Sequence, residues 1–287
     1  MAFVDQETSA QEGRPLYLLR FTKDGKEWTY NNTDHSITFG AVVYLPYPIS
    51  LTSFIYTGDA KSEGLDITLP HSTALCQYLD AGAATSAVSV SIRKLHITET
   101  AVTGAVVLPV DTTDAPVVWV GEMVGLSRPS VNVRMIRCNT LSLSMRRTGL
   151  RLSWGRNCPH MLYDVSCKVN KESYAVALAG TTITNGVTLS SATLGGYATG
   201  HFSGGFIEWV VDGLLVERRG IETHSGSNVT IIGGTIGMTG VGATGFKAYP
   251  GCSRTIDVCN SKFANSLNFG GIRYLQGKNP FSGSPIY

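Results

Sequence analysis

Charge is what this sequence has least of. Only 15% of its 287 residues are Asp, Glu, Lys or Arg, and 23 basic side chains nearly cancel 21 acidic ones to leave +2. That balance offers no basic footprint for a nucleic-acid backbone, so no sequence-specific nucleic-acid partner is expected. Sparse charge suits a chain that covers much of its surface with partner proteins. Long apolar runs are also missing. None approaches the roughly 20 residues of a membrane-spanning helix, so no membrane segment is expected. The opening Met-Ala-Phe-Val-Asp-Gln-Glu has neither the basic nor the apolar stretch of a signal peptide. Synthesis is therefore expected in the cytoplasm, where disulfides are disfavoured. This turns the six cysteines towards metal ligation or free thiols. Helical signal is scarce: Ser72 to Leu79 is the one clear short helix, with Ser72 or Thr73 as N-cap.

Glycine is abundant, at 32 residues, and Thr, Ser and Val accompany it. That mixture makes β-structure with tight turns. Strands are predicted over Arg14–Phe21 and Glu27–Asn31, joined by Lys23-Asp24-Gly25, and over Ser36–Tyr44. Leu65, Ile67 and Leu69 alternate with Asp66 and Thr68, which gives a strand with one buried face that Pro70 ends. Val88–Ile92, Val117–Val124 and Val131–Met135 follow, the last two separated by Ser127-Arg128-Pro129. Leu141, Leu143 and Met145 alternate with serines as a further strand. Beyond Lys168, Asn185-Gly186 marks a turn, and Phe206–Val211, Asp212-Gly213 and Leu214–Arg219 spell a hairpin. Val229–Ile232 and Gly233-Gly234 give another strand and turn. The expected architecture is mainly β. An N-terminal barrel or sandwich fills 1–150, and a small antiparallel β-domain over 169–249 is inserted between cysteine segments at 151–168 and 250–287.

The cysteines carry the chemistry. Cys158 and Cys167 enclose eight residues, Cys252 and Cys259 enclose six, and about eighty residues separate the pairs. Two close pairs with a long insertion is a common way to write a four-cysteine metal site. Zinc prefers tighter knuckles, with two to four residues between thiols. An iron–sulfur cluster accepts looser spacing because its ligands sit at the corners of a larger object. Arg146, Arg147, Arg151, Arg156, Lys168, Arg254 and Lys262 crowd these segments and would offset the negative charge of thiolates. Cys76, on the short helix with Leu75 and Leu79, and Cys138, at a strand end, read as core thiols. The competing reading is a Cys–His nucleophile, Cys158 with His160, His201 or His224. It lacks an evident third, orienting group, so no enzymatic activity is expected.

The runs Leu152-Ser-Trp-Gly-Arg-Asn-Cys158-Pro-His160-Met-Leu-Tyr163, Cys167, Gly251-Cys252-Ser-Arg254-Thr-Ile-Asp-Val-Cys259 and Phe263-Ala-Asn265-Ser-Leu-Asn268-Phe269-Gly270-Gly271 resemble the tail-tip hub proteins of long-tailed bacteriophages. That family includes the hub of gene transfer agents and is similar to the minor tail protein L of phage lambda. The N-terminal half resembles it more loosely, through its strand pattern and Gly40-Ala-Val-Val-Tyr44-Leu-Pro46. The resemblance implies a [4Fe–4S] cluster held by Cys158, Cys167, Cys252 and Cys259, with zinc the alternative metal. It implies a homotrimer at the virion tail tip, made in the bacterial host's cytoplasm. This trimer would close the tail tube between a distal tail protein ring and a central fibre or baseplate protein. A Cys–His peptidoglycan hydrolase of the tail is the remote alternative. The last stretch, Asn268 to Tyr287, mixes Gly and Pro with large apolar side chains. It is expected to dock in extended form beside the cysteines or on a neighbouring protein.

Overall fold

The computed structural model describes residues 3–9, 15–54, 64–82, 84–96, 115–144, 149, 155–234, 236–239 and 243–275. The chain divides into two compact units, Met1–Arg147 and Thr148–Tyr287.

The first unit is built on one nine-stranded sheet. Its strands are β1 (Pro15–Lys23), β2 (Lys26–Asn31), β3 (Ile37–Phe39), β4 (Val42–Pro46), β5 (Ser50–Leu51), β6 (Leu65–Pro70), β7 (Ser89–His96), β8 (Val117–Ser130) and β9 (Val133–Thr140). They lie in the order β3-β4-β2-β1-β7-β8-β9-β6-β5, with β2 and β4 parallel. Short helices α1 (Phe3–Thr8), α2 (Ala74–Asp80) and α3 (Leu141–Ser144) accompany it. Leu65, Ile67 and Leu69 on β6 are all buried, as their alternation predicts. α2 buries Leu75, Cys76 and Leu79, and Thr73 is its N-cap residue. The Thr73 hydroxyl donates backwards to Pro70 O at 3.0 Å and does not cap the helix.

Three strand expectations change. The strand predicted over Ser36–Tyr44 is a hairpin, β3 and β4, with Gly40 and Ala41 at φ 56 and 65. The inward positions change parity across the turn, from Ile37 and Phe39 to Val42 and Tyr44, a break that the apolar run Ala41-Val-Val-Tyr44 hides in the sequence. β8 runs straight through Ser127-Arg128-Pro129, and the turn falls at Val131 and Asn132. The register slips between Ser127 and Ser130, where a proline without an N–H is tolerated. The alternation at Leu141 and Leu143 forms a turn of helix, α3, instead of a strand; Met145 lies outside the described residues.

The second unit holds a seven-stranded antiparallel sheet. Its strands are β10 (Val176–Ala177), β11 (Thr182–Thr184), β12 (Thr188–Ser190), β13 (Phe206–Val211), β14 (Leu215–Ser225), β15 (Asn228–Ile231) and β16 (Thr244–Tyr249). They lie in the order β10-β16-β13-β14-β15-β12-β11. The predicted turns are present: Asn185-Gly186 and Asp212-Gly213 both take left-handed φ, at 53 and 64 and at 53 and 71. The core gathers Leu189, Phe202, Ile207, Trp209, Ile221 and Val229. Each contributes roughly 1.5–3 kcal/mol by leaving water. β10 and β16 are antiparallel neighbours, with Val176 opposite Ala248. The start of β10 therefore lies beside the end of β16. The chain before the sheet and the chain after it meet at one end, where helix α4 (Ile256–Phe263) follows.

Candidate metal centre

All four predicted ligands line one cavity of about 240 Å³. Cys167 and Cys259 are buried, while Cys158 and Cys252 are partly exposed. Each thiol is held by its own local device. The Cys158 N–H donates to Arg254 O at 2.9 Å, which ties the first cysteine segment to the second. Cys167 closes a loop turned by Asp164, whose carboxylate accepts from Met161 N at 3.1 Å and from Cys167 N at 2.5 Å. Tyr163 and Lys168, at φ 70 and 61, sharpen that loop. Cys259 sits in the second turn of α4, where the Thr255 N-cap hydroxyl accepts from Val258 N at 3.5 Å. Cys259 and Phe263, four residues apart, form the buried face of α4.

Cys252 is fixed by close backbone packing. A Cβ on Gly251 would lie 1.9 Å from Ser203 O, and one on Gly205 would lie 2.0 Å from Tyr249 O. Two glycines thus let the segment carrying Cys252 press directly onto the entry to β13. Lys262 stitches the same place, donating from Nζ to Gly251 O at 2.8 Å and to His201 O. Burial lowers the Lys262 pKa, and the Cys252 sulfur opposes that shift. The Tyr163 ring packs edge-on against Phe206, Tyr249 and Phe263, and its hydroxyl donates to Pro250 O at 3.0 Å.

The sulfurs meet N–H donors. Arg254 N lies 3.3 Å from Cys252 Sγ, and Gly270 N lies 3.4 Å from Cys158 Sγ. Asn265 Nδ2 lies 3.7 Å from Cys167 Sγ. Cys259 instead donates its S–H to Asn265 O at 3.3 Å. Burial raises the Cys259 pKa, and the nearby Cys252, Cys167 and Cys158 sulfurs raise it further.

Among the described residues, no three His, Cys, Asp or Glu side chains are gathered as the ligands of a single metal ion. The cysteines instead surround a space. A lone zinc would need every sulfur about 2.3 Å from one point, whereas walls of thiol around a cavity suit a larger body. His160 also lines this cavity, and its Nδ1 is buried without a hydrogen-bond partner. The donor set and the cavity fit a thiolate-ligated iron–sulfur cluster.

The other predicted residues fall elsewhere. Cys76 and Cys138 are buried core thiols of the first unit. Burial pushes the Cys138 thiol up to about 12. His201 packs against Tyr197 and Phe202, and His224 bonds Gly226 O at 3.0 Å. Of the histidines weighed against Cys158, only His160 shares its cavity. Among the clustered basic residues, Arg254 lines the cavity and Lys262 adjoins it, while Arg156 Nε binds Leu275 O at 2.5 Å. Arg146, Arg147 and Arg151 lie outside the described residues. The chain after Asn268 docks beside the cysteines as far as Leu275, with Ile272 N donating to Gly155 O at 2.9 Å; 276–287 lie outside the described residues. Sequence reasoning missed Asp164 and Asn265. The only signal for Asn265 was its place in the Phe263–Gly271 run.

A family model described as phage conserved hypothetical protein BR0599 matches residues 200–279. Over 125 residues the chain is 29% identical to an uncharacterized protein of Xylella fastidiosa (strain 9a5c). That match covers 43% of this chain and 26% of the other, so the chain spans about a quarter of the length of this curated relative. A chain of the virion of a native gene transfer agent particle has a similar fold, with a TM-score of 0.75 at 17% identity. The superposition covers 99% of this chain and 95% of that one.

Proposed function

We propose that this chain is a structural protein of a phage-type virion tail, whose second unit is tied together by a [4Fe–4S] cluster on Cys158, Cys167, Cys252 and Cys259. The observation that carries the reading is the meeting of these four thiols around one cavity, across an insertion of some eighty residues. When bound, the cluster supplies four iron–thiolate bonds, and binding energy at such a site is folding energy. The protein's own groups hold the sulfurs in place, donate N–H bonds to three of them and shield the cavity behind Tyr163 and Phe263. Among the described residues no third group orients His160 beside Cys158, which favours a structural over a hydrolytic role.

The virion reading is supported by the whole-chain likeness to a gene transfer agent virion chain and by the phage family model. Surface chemistry agrees. Met161, Val165 and Tyr274, on loops of the second unit, and Leu267, in the short 3-10 turn Ser266–Asn268, are 68%, 91%, 83% and 99% exposed. Large apolar groups so exposed suit an assembly whose neighbours cover them. In the tail the chain acts as a homotrimeric hub that closes the tube between a distal tail protein ring and a central fibre or baseplate protein.

The test is anaerobic purification with iron and sulfide analysis. Brown protein absorbing near roughly 400 nm, with iron lost in Cys158→Ser, Cys167→Ser, Cys252→Ser and Cys259→Ser but kept in Cys76→Ser, is the expected result. Full iron in Cys158→Ser overturns the ligand set, and stoichiometric zinc without iron replaces the cluster by a one-ion site. Native mass spectrometry checks the trimer.

A further inference from the structure

Arg254 and Asn265 each touch a cysteine of each pair, Arg254 through its backbone and Asn265 through its side chain as well. The Asn265 side chain donates from Nδ2 to Cys167 O at 2.5 Å and reaches Cys167 Sγ at 3.7 Å. Its backbone N–H donates to Cys259 O at 3.0 Å, and its backbone carbonyl accepts the Cys259 S–H at 3.3 Å. Asn268 Nδ2 donates to Asn265 Oδ1 at 2.6 Å, which orients the amide so that its NH₂ faces Cys167. The turn that delivers it is unusual for a side-chain-bearing residue. Ala264 caps α4 in the left-handed conformation, at φ 48. The chain thereby reverses just after α4 and lays Asn265 across the mouth of the first cysteine loop.

Three sulfurs receive N–H donors, but those on Cys158 and Cys252 come from the backbone of Gly270 and Arg254. Asn265 supplies the one side-chain donor among them. An N–H aimed at a ligand sulfur stabilises added negative charge on that sulfur, and hydrogen bonds to the sulfurs help set a cluster's reduction potential. Partners of this kind also hold ligands in their binding orientation, and losing one typically lowers metal affinity about 10–100-fold.

We propose that Asn265 is a positioning residue: it locks Cys167 to Cys259 across the two segments and raises the reduction potential of the group they hold. This rests on the cluster reading above. It adds that the tightness and potential of the site are set by a residue that is not itself a ligand.

The test compares wild type, Asn265→Asp and Asn265→Ala, each full-length and loaded anaerobically with ferrous iron and sulfide. Asn265→Asp keeps the shape but replaces the donor by an acceptor, and circular dichroism checks that the sheet is folded. Iron retention is read against a chelator, and the midpoint potential is read by electron paramagnetic resonance during a redox titration. Retention about 10-fold weaker or worse in both variants is expected, with a lower potential in the fraction that stays loaded and the Asp variant lowest. Variants that hold iron and titrate like wild type overturn the inference while leaving the cluster reading standing. A wild-type chain that takes up no iron removes the cluster reading, and this inference with it.

Discussion

Replacing Gly251 by alanine is the sharpest single probe of how the second cysteine segment is held. Its Cβ would stand 1.9 Å from Ser203 O, 2.5 Å from Gly205 N and 2.6 Å from Gly204 C. A carbon and a carbonyl oxygen settle at about 3.3 Å, so roughly 1.4 Å of movement is required. Every clashing atom is backbone, and no rotamer change relieves it. The cost lies at or above the top of the overpacking range, about 3 kcal/mol. Restricting the unfolded chain returns only about 0.4–1 kcal/mol. The net loss is about 2–3 kcal/mol, equivalent to a fall of about 10 °C in the melting of a unit this size. Because Cys252 adjoins Gly251, the proposed cluster is expected to be held less tightly too. Gly196 is the control: nothing lies within 4 Å of its would-be Cβ, so Gly196→Ala is neutral or stabilises by up to about 1 kcal/mol. Urea unfolding of the full chain, followed by circular dichroism, reads both variants. If Gly251→Ala unfolds within about 0.5 kcal/mol of wild type, the backbone contact is not what fixes Cys252.

Acid weakens the second unit through Glu208. Its carboxylate accepts from Lys171 at 2.8 Å, Arg218 at 2.7 Å and Tyr249 at 3.1 Å. Burial alone would raise its pKa, but the Lys171 and Arg218 bonds outweigh it and hold the pKa below the usual 4.5. The folded value lies below the unfolded one, so the stabilisation is present above about pH 4.5 and drains away as pH falls through the folded value. Urea titrations between about pH 3 and 7 are expected to show this loss in wild type and a flatter profile in Glu208→Gln. That variant is about 2 kcal/mol less stable at neutral pH; an unchanged profile refutes the assignment. Tyr163→Phe keeps the ring contacts and loses only the bond to Pro250 O. It costs about 1 kcal/mol with iron content intact, measured by melting and iron assay; large iron loss there shows that the hydroxyl does more than brace the loop.

Much of the fold was legible locally because its causes are local. Asp212-Gly213 and Asn185-Gly186 turn wherever strands flank them, since their backbone tolerates left-handed φ. Leu65, Ile67 and Leu69 declare a buried face by period alone. The same logic failed at Gly40-Ala41, where the inward positions change parity across a turn inside one apolar run. It failed also at Leu141–Ser144, where spacing consistent with a strand became a helical turn at the end of β9.

The sequence by itself determined which thiols belong together, because pairing and spacing are properties of a chain. What it left open was how two pairs separated by some eighty residues come to share one cavity. The tertiary structure decided that through β10 and β16. Their antiparallel pairing brings the start and finish of the inserted sheet to one end, so Cys158 and Cys167 arrive where Cys252 and Cys259 leave. It also decided what meets the sulfurs: the backbone N–H of Gly270 and the amide of Asn265. Neither follows from spacing, since each depends on where a distant backbone lies once the sheet has closed the loop between them.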